Sequence, residues 1–344
     1  MNPWQKWKAR WFRWEFWSFW FFYIPVYFYF IWLALRERSF FFFATANPTM
    51  DFGGMVGEKK SDIFKWIPQE YYPKTILIKE GDRSNLTEIA ANIGFPLIAK
   101  PDIGERGKGV EVMHSGEELA NYSSRANYDF LLQEMVTYPL ELGVFYVRFP
   151  SETSGRITSI VSKEFLSVTG DGQSTVKELM MDKERAVLQV DWVHERLANV
   201  LEQVPDRGEK LVVEPIGNHC RGTKFLNATQ EADDKMNAAI DFLAKRIEGF
   251  YYGRFDLKCQ SFDDLRELKN FKIVELNGVG AEPAHIYQPG FSLFEAYAIV
   301  MDHYKWMARV ARENKERGIP YWSFRRGLKK LSDIRAYNRR INHT

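Results

Sequence analysis

Two short stretches near the end of the chain, GRFDLKC at residues 253–259 and FKIVELNGV at residues 271–279, have the composition of neighbouring β-strands. Each stretch carries polar side chains two positions apart, and side chains two apart on a strand share one face. If the two strands pair, these groups lie together. They are Arg254, Asp256, Glu275 and Asn277.

These side chains have the chemistry of a metal and phosphate site. Carboxylate and amide oxygens from Asp256, Glu275 and Asn277 are hard ligands that suit Mg²⁺. Arg254 suits a transferred phosphoryl group or an oxyanion. A solvated strand face is the alternative. Glu275 favours the site, because it follows the apolar run KIV, where an unpaired carboxylate costs free energy.

A second candidate site lies upstream, in FPLIAKPDIGERGKGV at residues 95–110. Lys100 ends a predicted strand, and the glycines after it let backbone amides approach a polyphosphate. A simple hairpin turn fits the same glycines, and the spacing matches neither the Walker nor the dinucleotide motif. The candidate loop residues are Gly104, Arg106, Gly107, Lys108 and Gly109.

The remaining pattern predicts the α+β class. Short strands alternate with helices in the first half and favour antiparallel pairing, as in GRITSIVSKEFLSVTG at residues 155–170. Longer helices are predicted at about residues 175–203, 229–248 and 292–315.

The ordered set FPLIAKPDIGERGKGV, LLQEMVTYPLE at residues 131–141 and GRFDLKC…IVELNGV resembles the ATP-grasp superfamily of carboxylate–amine ligases. That superfamily includes D-alanine–D-alanine ligases and cyanophycin-synthetase-type enzymes. The resemblance covers roughly residues 60–312. It implies the ATP-grasp fold, in which two α+β subdomains grip ATP, and a requirement for ATP with Mg²⁺ or Mn²⁺.

The resemblance also implies roles for individual residues. Lys100 would contact the α- and β-phosphates, and the loop at residues 104–109 would close over the triphosphate. Arg254 would steady the acyl phosphate and the tetrahedral intermediate. The adenine hinge would be Glu134, Met135 and Val136, the ribose carboxylate Glu141, and the metal ligands Asp256, Glu275 and Asn277. A further nucleotide lysine would be Lys60 or Lys65.

The stretch SVTGDGQSTVKELM at residues 167–180 is similar to the TGDG segment of cyanophycin-synthetase-like enzymes. Lys163, just before it, would then contact phosphate. A structural interpretation explains the same residues equally well: a tight turn at residues 170–172, followed by a helix capped by Ser174 or Thr175.

The loop after the metal asparagine, NGVGAEPAHIYQPGF at residues 277–291, departs from the D-alanine–D-alanine ligases. Ile286 follows His285 where those enzymes have serine, which puts dipeptide specificity in doubt. An attacking amine must be deprotonated, so the reaction needs a base or a water relay. Glu282 and His285 are the candidate substrate contacts and bases, and each is also explained as a structural polar residue.

An aromatic stretch, WEFWSFWFFYIPVYFYFIWLAL, occupies residues 14–35. Its uncharged part, residues 16–35, is long enough for a bilayer. Pro25 predicts a kink or a break in the helix, and aromatic residues throughout favour a shallow position. We therefore predict a re-entrant or interfacial anchor on the cytoplasmic face rather than a single span, with a core helix as the alternative. Basic residues flank the stretch at Lys6, Lys8, Arg10, Arg13, Arg36 and Arg38.

Composition limits the other possibilities. The chain has 344 residues and a formal charge of +2, so no global field favours nucleic acid. Cys220 and Cys259 lack metal spacing and suit a reducing compartment. The predicted segments are a membrane anchor at 1–43, an entry subdomain at 44–95, a nucleotide-binding subdomain at 96–166, a C-terminal subdomain with the metal site at 167–315 and a basic tail at 316–344.

The expected function is an ATP- and Mg²⁺-dependent C–N ligase that acts through an acyl phosphate at the cytoplasmic membrane face. Its expected partners are ATP, a carboxylate, an amine and the lipid surface, and the substrate would be a lipid or lipid-linked molecule. The alternatives are a soluble amino-acid or peptide ligase merely tethered to the membrane, and a non-catalytic ATP-binding scaffold.

Overall fold

The computed structural model describes residues 14–104, 107, 109–181, 198–214 and 223–342. The basic residues predicted before residue 14 lie outside these ranges. Ten α-helices are described: α1 Phe19–Arg36, α2 Lys60–Phe64, α3 Leu86–Ile93, α4 Gly116–Arg125, α5 Val176–Met181, α6 Ala198–Leu201, α7 Asp234–Lys245, α8 Phe262–Arg266, α9 Leu293–Glu316 and α10 Phe324–Asn342. Single turns of 3₁₀ helix occur at Trp14–Phe16, Phe42–Thr45, Asp51–Gly54, Gln69–Tyr71, Thr229–Glu231 and Ala284–Tyr287.

The described strands form three antiparallel sheets. A four-stranded sheet has the order β1-β4-β2-β3, a five-stranded sheet the order β11-β10-β5-β6-β9, and β7 pairs with β8. The strands are β1 Thr75–Ile78, β2 Leu97–Pro101, β3 Glu111–Met113, β4 Phe130–Glu134, β5 Leu140–Val147, β6 Arg156–Glu164, β7 Leu166–Thr169, β8 Lys210–Glu214, β9 Lys224–Asn227, β10 Tyr252–Cys259 and β11 Phe271–Asn277. The predicted α+β class with antiparallel pairing is confirmed.

Each of the two larger sheets has a separate apolar core. Residues of α3 and α4, such as Ala90 and Leu119, pack with Leu97 and Leu132 of the four-stranded sheet. The core of the five-stranded sheet contains residues of α7 and also Ile63 and Phe64 of α2. The two sheets are therefore distinct layers, and α2 lies at their junction. The subdomain boundaries at 95/96 and 166/167 remain predictions, and each larger sheet includes strands from both sides of one boundary.

The aromatic stretch forms one continuous helix, α1, which is about 27 Å long at 1.5 Å per residue. Of the kink or break predicted at Pro25, the break is wrong, since the helix passes through this residue. A proline costs the helix one backbone hydrogen bond. Packing offsets that loss, because the inner face of α1 contacts α9: Val26 lies with Val300, and Leu33 with Val310.

The outer face of α1 is apolar and exposed. By length and composition α1 is the one described helix that could cross a bilayer, although a soluble core helix or a signal sequence would pass the same test. Trp20, Phe28 and Leu35 are each more than 70% exposed. The other exposed apolar residues of α1 are Phe21, Ile24, Tyr27, Ile31 and Trp32. We call these eight residues the outer face of α1.

Candidate active site

The register of β10 and β11 brings the predicted side chains together. Arg254 lies opposite Asn277, and Asp256 lies opposite Glu275. Both pairs lie on the same face of the sheet, because residues two apart on a strand share a face. The juxtaposition predicted from the sequence is confirmed, whereas the metal and catalytic roles of these residues remain proposals.

Arg254, which is partly buried, and Asp256, which is buried, form a charge pair. The guanidinium Nε donates to Asp256 Oδ1 at 2.7 Å, and Nη2 donates to Oδ2 at 2.9 Å. Burial would raise the pKa of Asp256, but Arg254 and then Lys163 lower it below the usual range. Burial likewise opposes the charge of Arg254, and Asp256 raises its pKa. Both groups are therefore ionised at neutral pH.

We call the face of the sheet that carries Arg254 and Asp256 the charged face. Two lysines extend it across the sheet. Lys163 on β6 donates to Glu141 Oε1 at 2.9 Å and lies 3.9 Å from Asp256 Oδ2. Burial would lower the pKa of Lys163, but Asp256 and Glu141 raise it. Lys258 Nζ lies 3.7 Å from Glu141 Oε2. Glu141, the predicted ribose carboxylate, thus lies between two lysines. A ligand hydroxyl that bonds to Glu141 would compete with these lysines for its oxygens.

Gly143 on β5 leaves room for the charge pair, and the sequence analysis did not identify it. It lies opposite Asp256 in the sheet. A Cβ at Gly143 would come within 3.1 Å of both Arg254 Cδ and Asp256 Oδ1. Contacts this close would force Arg254 or Asp256 to move. In the sequence, the only indication of this role was that a glycine lies inside a predicted strand.

Glu275 and Asn277 complete the predicted metal donors. The Glu275 side chain is 38% exposed, and its Oε1 lies 3.9 Å from Lys60 Nζ. The amide of Asn277 donates to Asp256 Oδ2 at 3.3 Å. Among the described residues there is no group of three or more histidine, cysteine, aspartate and glutamate side chains that could hold a metal ion. The predicted set has two carboxylates and one amide, a hard-oxygen donor set that fits Mg²⁺ or Mn²⁺.

Lys100 links the two larger sheets. Its ammonium donates to the side chain of Gln133 on β4 at 2.8 Å and to the carbonyl of Val274 on β11 at 3.2 Å. The side chain is buried, and it lies over the ring of Phe64. Burial lowers the pKa of Lys100 to about 8, although Glu275 opposes the shift. The lysine predicted for phosphate contact thus lies beside the strand that carries Glu275.

Of Lys60 and Lys65, Lys60 is the better candidate for the further nucleotide lysine. Lys60 donates to the carbonyl of Gly104 at 2.6 Å and lies near Glu275. Lys65 points to solvent, where it pairs with Asp62. Asp102, which the sequence analysis missed, accepts from the backbone N–H of Ser61 at 2.8 Å and from its hydroxyl at 3.0 Å. This buried carboxylate fastens α2 to the loop that follows Lys100.

The glycine-rich loop is described only in part. Gly107 and Gly109 have φ values of 69° and 70°, which glycine adopts without strain. The carbonyl of Gly109 accepts from Tyr122 at 2.8 Å. Arg106 and Lys108 lie outside the described residues. The described backbone is therefore left-handed at these two glycines, and the contact of the loop with nucleotide remains a proposal.

The predicted adenine hinge lies at the end of β4. Glu134 accepts at 3.1 Å from the backbone N–H of Lys74 and is exposed. Met135 is half-buried and Val136 is buried. The carbonyl of Val136 accepts from Lys258 at 3.2 Å. Through Lys258 this segment contacts the charged face that holds Glu141.

Glu282 and His285 lie in the loop after β11 and have different environments. The carbonyl of Glu282 accepts from Arg254 Nη1 at 3.1 Å. Its carboxylate accepts from the hydroxyls of Tyr287, at 3.2 Å, and of Tyr23 on α1. His285 is buried, and burial lowers its pKa to about 4, so the imidazole is neutral at physiological pH. Glu282 therefore contacts the charged site directly.

A buried asparagine before the first sheet fixes the start of β10. The amide of Asn47 donates to the carbonyls of Gly53 and Tyr252, and its oxygen accepts from the backbone N–H groups of Tyr251 and Tyr252 at 3.0 Å. From the sequence this residue was assigned only to the predicted entry subdomain at 44–95. Asn47 in fact joins the segment before the sheets to the strand that carries Arg254.

The TGDG segment has the structure of a capped turn. Asp171 accepts from the backbone N–H groups of Gln173 and Ser174, which hold its pKa at about 2. The hydroxyl of Thr175 accepts from Glu178 N at 3.3 Å and thus caps α5. The structural interpretation is confirmed for these residues. Lys163, by contrast, lies within the charged face.

Comparisons with known proteins give distant structural likenesses. No family model matches the chain, and no curated protein matches it. Similar solved structures include a D-alanine–D-alanine ligase from Bacillus anthracis, at 13% identity and a TM-score of 0.43, which covers 75% of this chain and 69% of that one. The VanG D-Ala:D-Ser ligase from Enterococcus faecalis has 14% identity and a TM-score of 0.42, with 74% and 64% covered.

A third structure, a bifunctional glutathione synthetase from Pasteurella multocida, has 13% identity and a TM-score of 0.35; it covers 71% of this chain, which spans 35% of that chain. Identities and TM-scores this low carry no conclusion about activity or substrate. The functional interpretation therefore rests on the residues of the charged face and on the order of the motifs along the chain.

Proposed function

We propose that this protein is an ATP-grasp carboxylate–amine ligase that uses ATP with Mg²⁺ or Mn²⁺ to join a carboxylate to an amine. One observation carries the proposal: Lys100 of the four-stranded sheet donates to the main chain of β11, the strand that carries Glu275. The cations beside the glycine-rich loop thus meet the carboxylates of the five-stranded sheet. Phosphate-binding cations beside metal-binding carboxylates suit a bound Mg-nucleotide.

The proposed nucleotide side consists of Lys100, Lys60 and the loop they adjoin. Lys60 is bonded to the carbonyl of Gly104, so a lysine side chain and the loop backbone already lie together. Lys163 adds a third cation beside Asp256. Such fixed positive charges stabilise phosphate oxygens with little reorganisation. The segment at Glu134, Met135 and Val136 would hold the adenine, and Glu141 the ribose.

The proposed metal ligands are Asp256, Glu275 and Asn277. Glu275 is partly exposed, and Asp256 is held in place by Arg254. A metal ion bound here would neutralise phosphate charge. Arg254 is fixed on two sides, by Asp256 and by the Glu282 carbonyl. A guanidinium held in this way is oriented in advance toward the oxyanion that forms when an acyl group is transferred.

In the proposed reaction the substrate carboxylate takes the γ-phosphoryl group of ATP. The amine nitrogen then forms a bond to the acyl carbon, and the bond between that carbon and the phosphate oxygen breaks. The protein would contribute mainly positioning and charge neutralisation, through Lys100 and Arg254. Glu282 is the preferred candidate to accept the amine proton because it contacts Arg254, whereas His285 is buried.

The outer face of α1 supports attachment to a lipid surface. Its inner face packs along α9, so the helix lies on the domain and exposes an apolar stripe. An aromatic helix in this position suits the plane of the interface, with Arg36 and Arg38 near anionic headgroups. We therefore favour an interfacial anchor on the cytoplasmic face over a single span. On the same ground we propose a lipid or lipid-linked substrate.

The test is a substrate panel. Full-length protein in detergent is incubated with Mg-ATP, a set of amino acids and lipid acids, and a set of amines, while ADP release and product mass are measured. A C–N-linked product with stoichiometric ADP is the expected result. ATP binding without ADP release by any pair would instead identify a scaffold. Equal activity on free amino acids with and without vesicles would favour a tethered soluble-substrate ligase.

A further inference from the structure

The buried face of α1 carries one polar group, the hydroxyl of Tyr23. The buried residues of this helix are Phe22, Tyr23, Val26, Leu33 and Ala34. A phenylalanine would fill the same space, and a hydroxyl removed from water costs free energy unless it is hydrogen-bonded. The hydroxyl of Tyr23 donates to Glu282 in the loop after β11. A polar contact therefore joins the aromatic helix to Glu282 of the charged site.

Glu282 connects this contact to Arg254. Its side chain is held by Tyr23 and Tyr287, while its carbonyl accepts from Arg254 Nη1 at 3.1 Å. Arg254 in turn holds Asp256. A continuous series of hydrogen bonds thus runs from α1 to the paired charges on β10. The position of the Arg254 guanidinium depends on the position of residue 282, and residue 282 depends on α1.

Two further hydrogen bonds hold the start of α1 and the turn before it, one to the loop after β11 and one from α9. Trp14 donates from its indole to the carbonyl of Phe291 at 2.7 Å and stacks on Phe22. The hydroxyl of Tyr297, on α9, donates to the carbonyl of Phe22 at 3.1 Å. The helix therefore forms one wall of the region around Glu282. Tyr297 offers a comparison, because its hydroxyl holds the helix without contacting Glu282.

We propose that α1 is part of the active site and that Tyr23 is a positioning residue on the amine side of the reaction. This inference rests on the proposed ligase function. Tyr23 orients the Glu282 carboxylate. The main-chain carbonyl of Glu282 in turn orients Arg254. The aromatic helix consequently has two faces with two tasks: its outer face contacts lipid, and Tyr23 on its inner face holds the loop that receives the amine.

The test compares Tyr23→Phe with Tyr297→Phe in the full-length protein. Each variant loses one hydroxyl that bonds across the α1 interface, and only the first contacts Glu282. ADP release is measured with Mg-ATP, the panel carboxylate that reacts fastest and hydroxylamine as the amine. Tyr23→Phe should lower kcat/KM for hydroxylamine by roughly tenfold, the cost of one hydrogen bond to a charged group, and leave the KM for ATP unchanged. Tyr297→Phe should retain both values.

A double-mutant cycle separates positioning from general damage to the fold. If Tyr23 acts through Glu282, adding Tyr23→Phe to Glu282→Gln should lower activity little further. Additive losses, or equal activities of Tyr23→Phe and Tyr297→Phe, would overturn the proposal.

Hydrogen exchange gives a readout that needs no substrate. Residues 278–288 should lose amide protection in Tyr23→Phe but not in Tyr297→Phe, and equal protection in the two variants would overturn the proposal. Absence of ADP release from the wild-type protein with every pair would reject the ligase function. In that case the exchange comparison still decides whether Tyr23 holds the loop.

Discussion

Arg254 and Asp256 lie two positions apart on β10 and are joined by two hydrogen bonds, Nε to Oδ1 at 2.7 Å and Nη2 to Oδ2 at 2.9 Å. The Asp256 side chain is 5% exposed and that of Arg254 19%, so their attraction is weakly screened. The same guanidinium also donates to the Glu282 carbonyl. Arg254 is thus the point at which the proposed metal ligands and the proposed amine side meet.

Arg254→Lys should remove most turnover while the chain still folds. A lysine keeps the charge, but it cannot donate to both Asp256 oxygens and to the Glu282 carbonyl in one plane. We expect kcat to fall by roughly 100- to 1,000-fold, as for loss of an oxyanion contact. Turnover is measured by ADP release, and folding by circular dichroism. The matched control is Arg266→Lys, at an arginine that pairs with Glu231 and Asp233. Full turnover by Arg254→Lys would contradict the assignment.

Gly143→Ala should impair the site through space alone. The new Cβ would lie 2.8 Å from Val161 Cγ1 and 3.1 Å from Arg254 Cδ, so the guanidinium must shift. Overpacking of this kind costs about 1–3 kcal/mol, and we expect both the free energy of unfolding and turnover to fall. Urea denaturation and ADP release measure the two effects. Gly116→Ala, whose Cβ would meet nothing within 4 Å, is the control. Unchanged turnover in Gly143→Ala would mean that Arg254 does not need its present position.

Features that depend on local periodicity were predictable from the sequence. The helices expected at about 229–248 and 292–315 are present as α7 and α9, and alternation on β10 and β11 correctly placed four side chains on one face. A single helix was expected at 175–203, and within this range the structure describes two short helices, α5 and α6. Such patterns are local, because a helix or strand fixes which residues share a face whatever packs against it.

Features that depend on tertiary contact were not predictable in this way. Pro25 has a helix-breaking propensity, yet packing of α1 on α9 keeps the helix continuous. Lys60 and Lys65 look alike in sequence, and only the fold places one beside Gly104. Gly143 and Tyr23 act through partners more than 100 residues away, and spacing along the chain contains no record of such contacts.

Nucleotide binding should weaken as pH rises above about 8. The buried ammonium of Lys100 has a pKa lowered to about 8, so it loses its proton and its charge as pH passes that value. Below it the lysine is charged and attracts phosphate. We expect the affinity for Mg-ATP to decline by up to roughly tenfold per pH unit above the pKa that Lys100 has in the free protein. Isothermal titration between pH 6.5 and 9.5 measures this.

Lys100→Arg provides the comparison for the pH dependence, because a guanidinium stays charged throughout that range. Its affinity should be lower overall, because the larger head group does not fit between Gln133 and Val274 as the lysine does, but flat with pH. A wild-type profile as flat as that of Lys100→Arg would show that Lys100 does not contact the nucleotide. Lys65→Ala, at an exposed lysine, should reproduce the wild-type profile.

Replacement of the most exposed apolar residues of α1 should release the protein from lipid. Trp20, Phe28 and Leu35 are each more than 70% exposed, so Trp20→Ser/Phe28→Ser/Leu35→Ser removes little internal packing. Burial of such side chains contributes about 1.5–3 kcal/mol each, and we expect binding to vesicles containing phosphatidylglycerol to fall at least roughly 100-fold. Flotation measures the bound fraction. Phe242→Ser, at an exposed aromatic residue on α7, should bind as the wild type does.

The orientation of α1 is tested at its two ends. Ser18 and Ser39 flank the helix, and each is replaced by cysteine in a Cys220→Ser background, in which the remaining Cys259 is buried. For an interfacial helix, both ends lie on one side of the bilayer, so a membrane-impermeant maleimide outside sealed vesicles should label both variants. Labelling of only one end would show that α1 crosses the bilayer. A helix that crosses the bilayer would also hold Tyr23 away from Glu282. Activity in that case would not depend on the contact between these two residues.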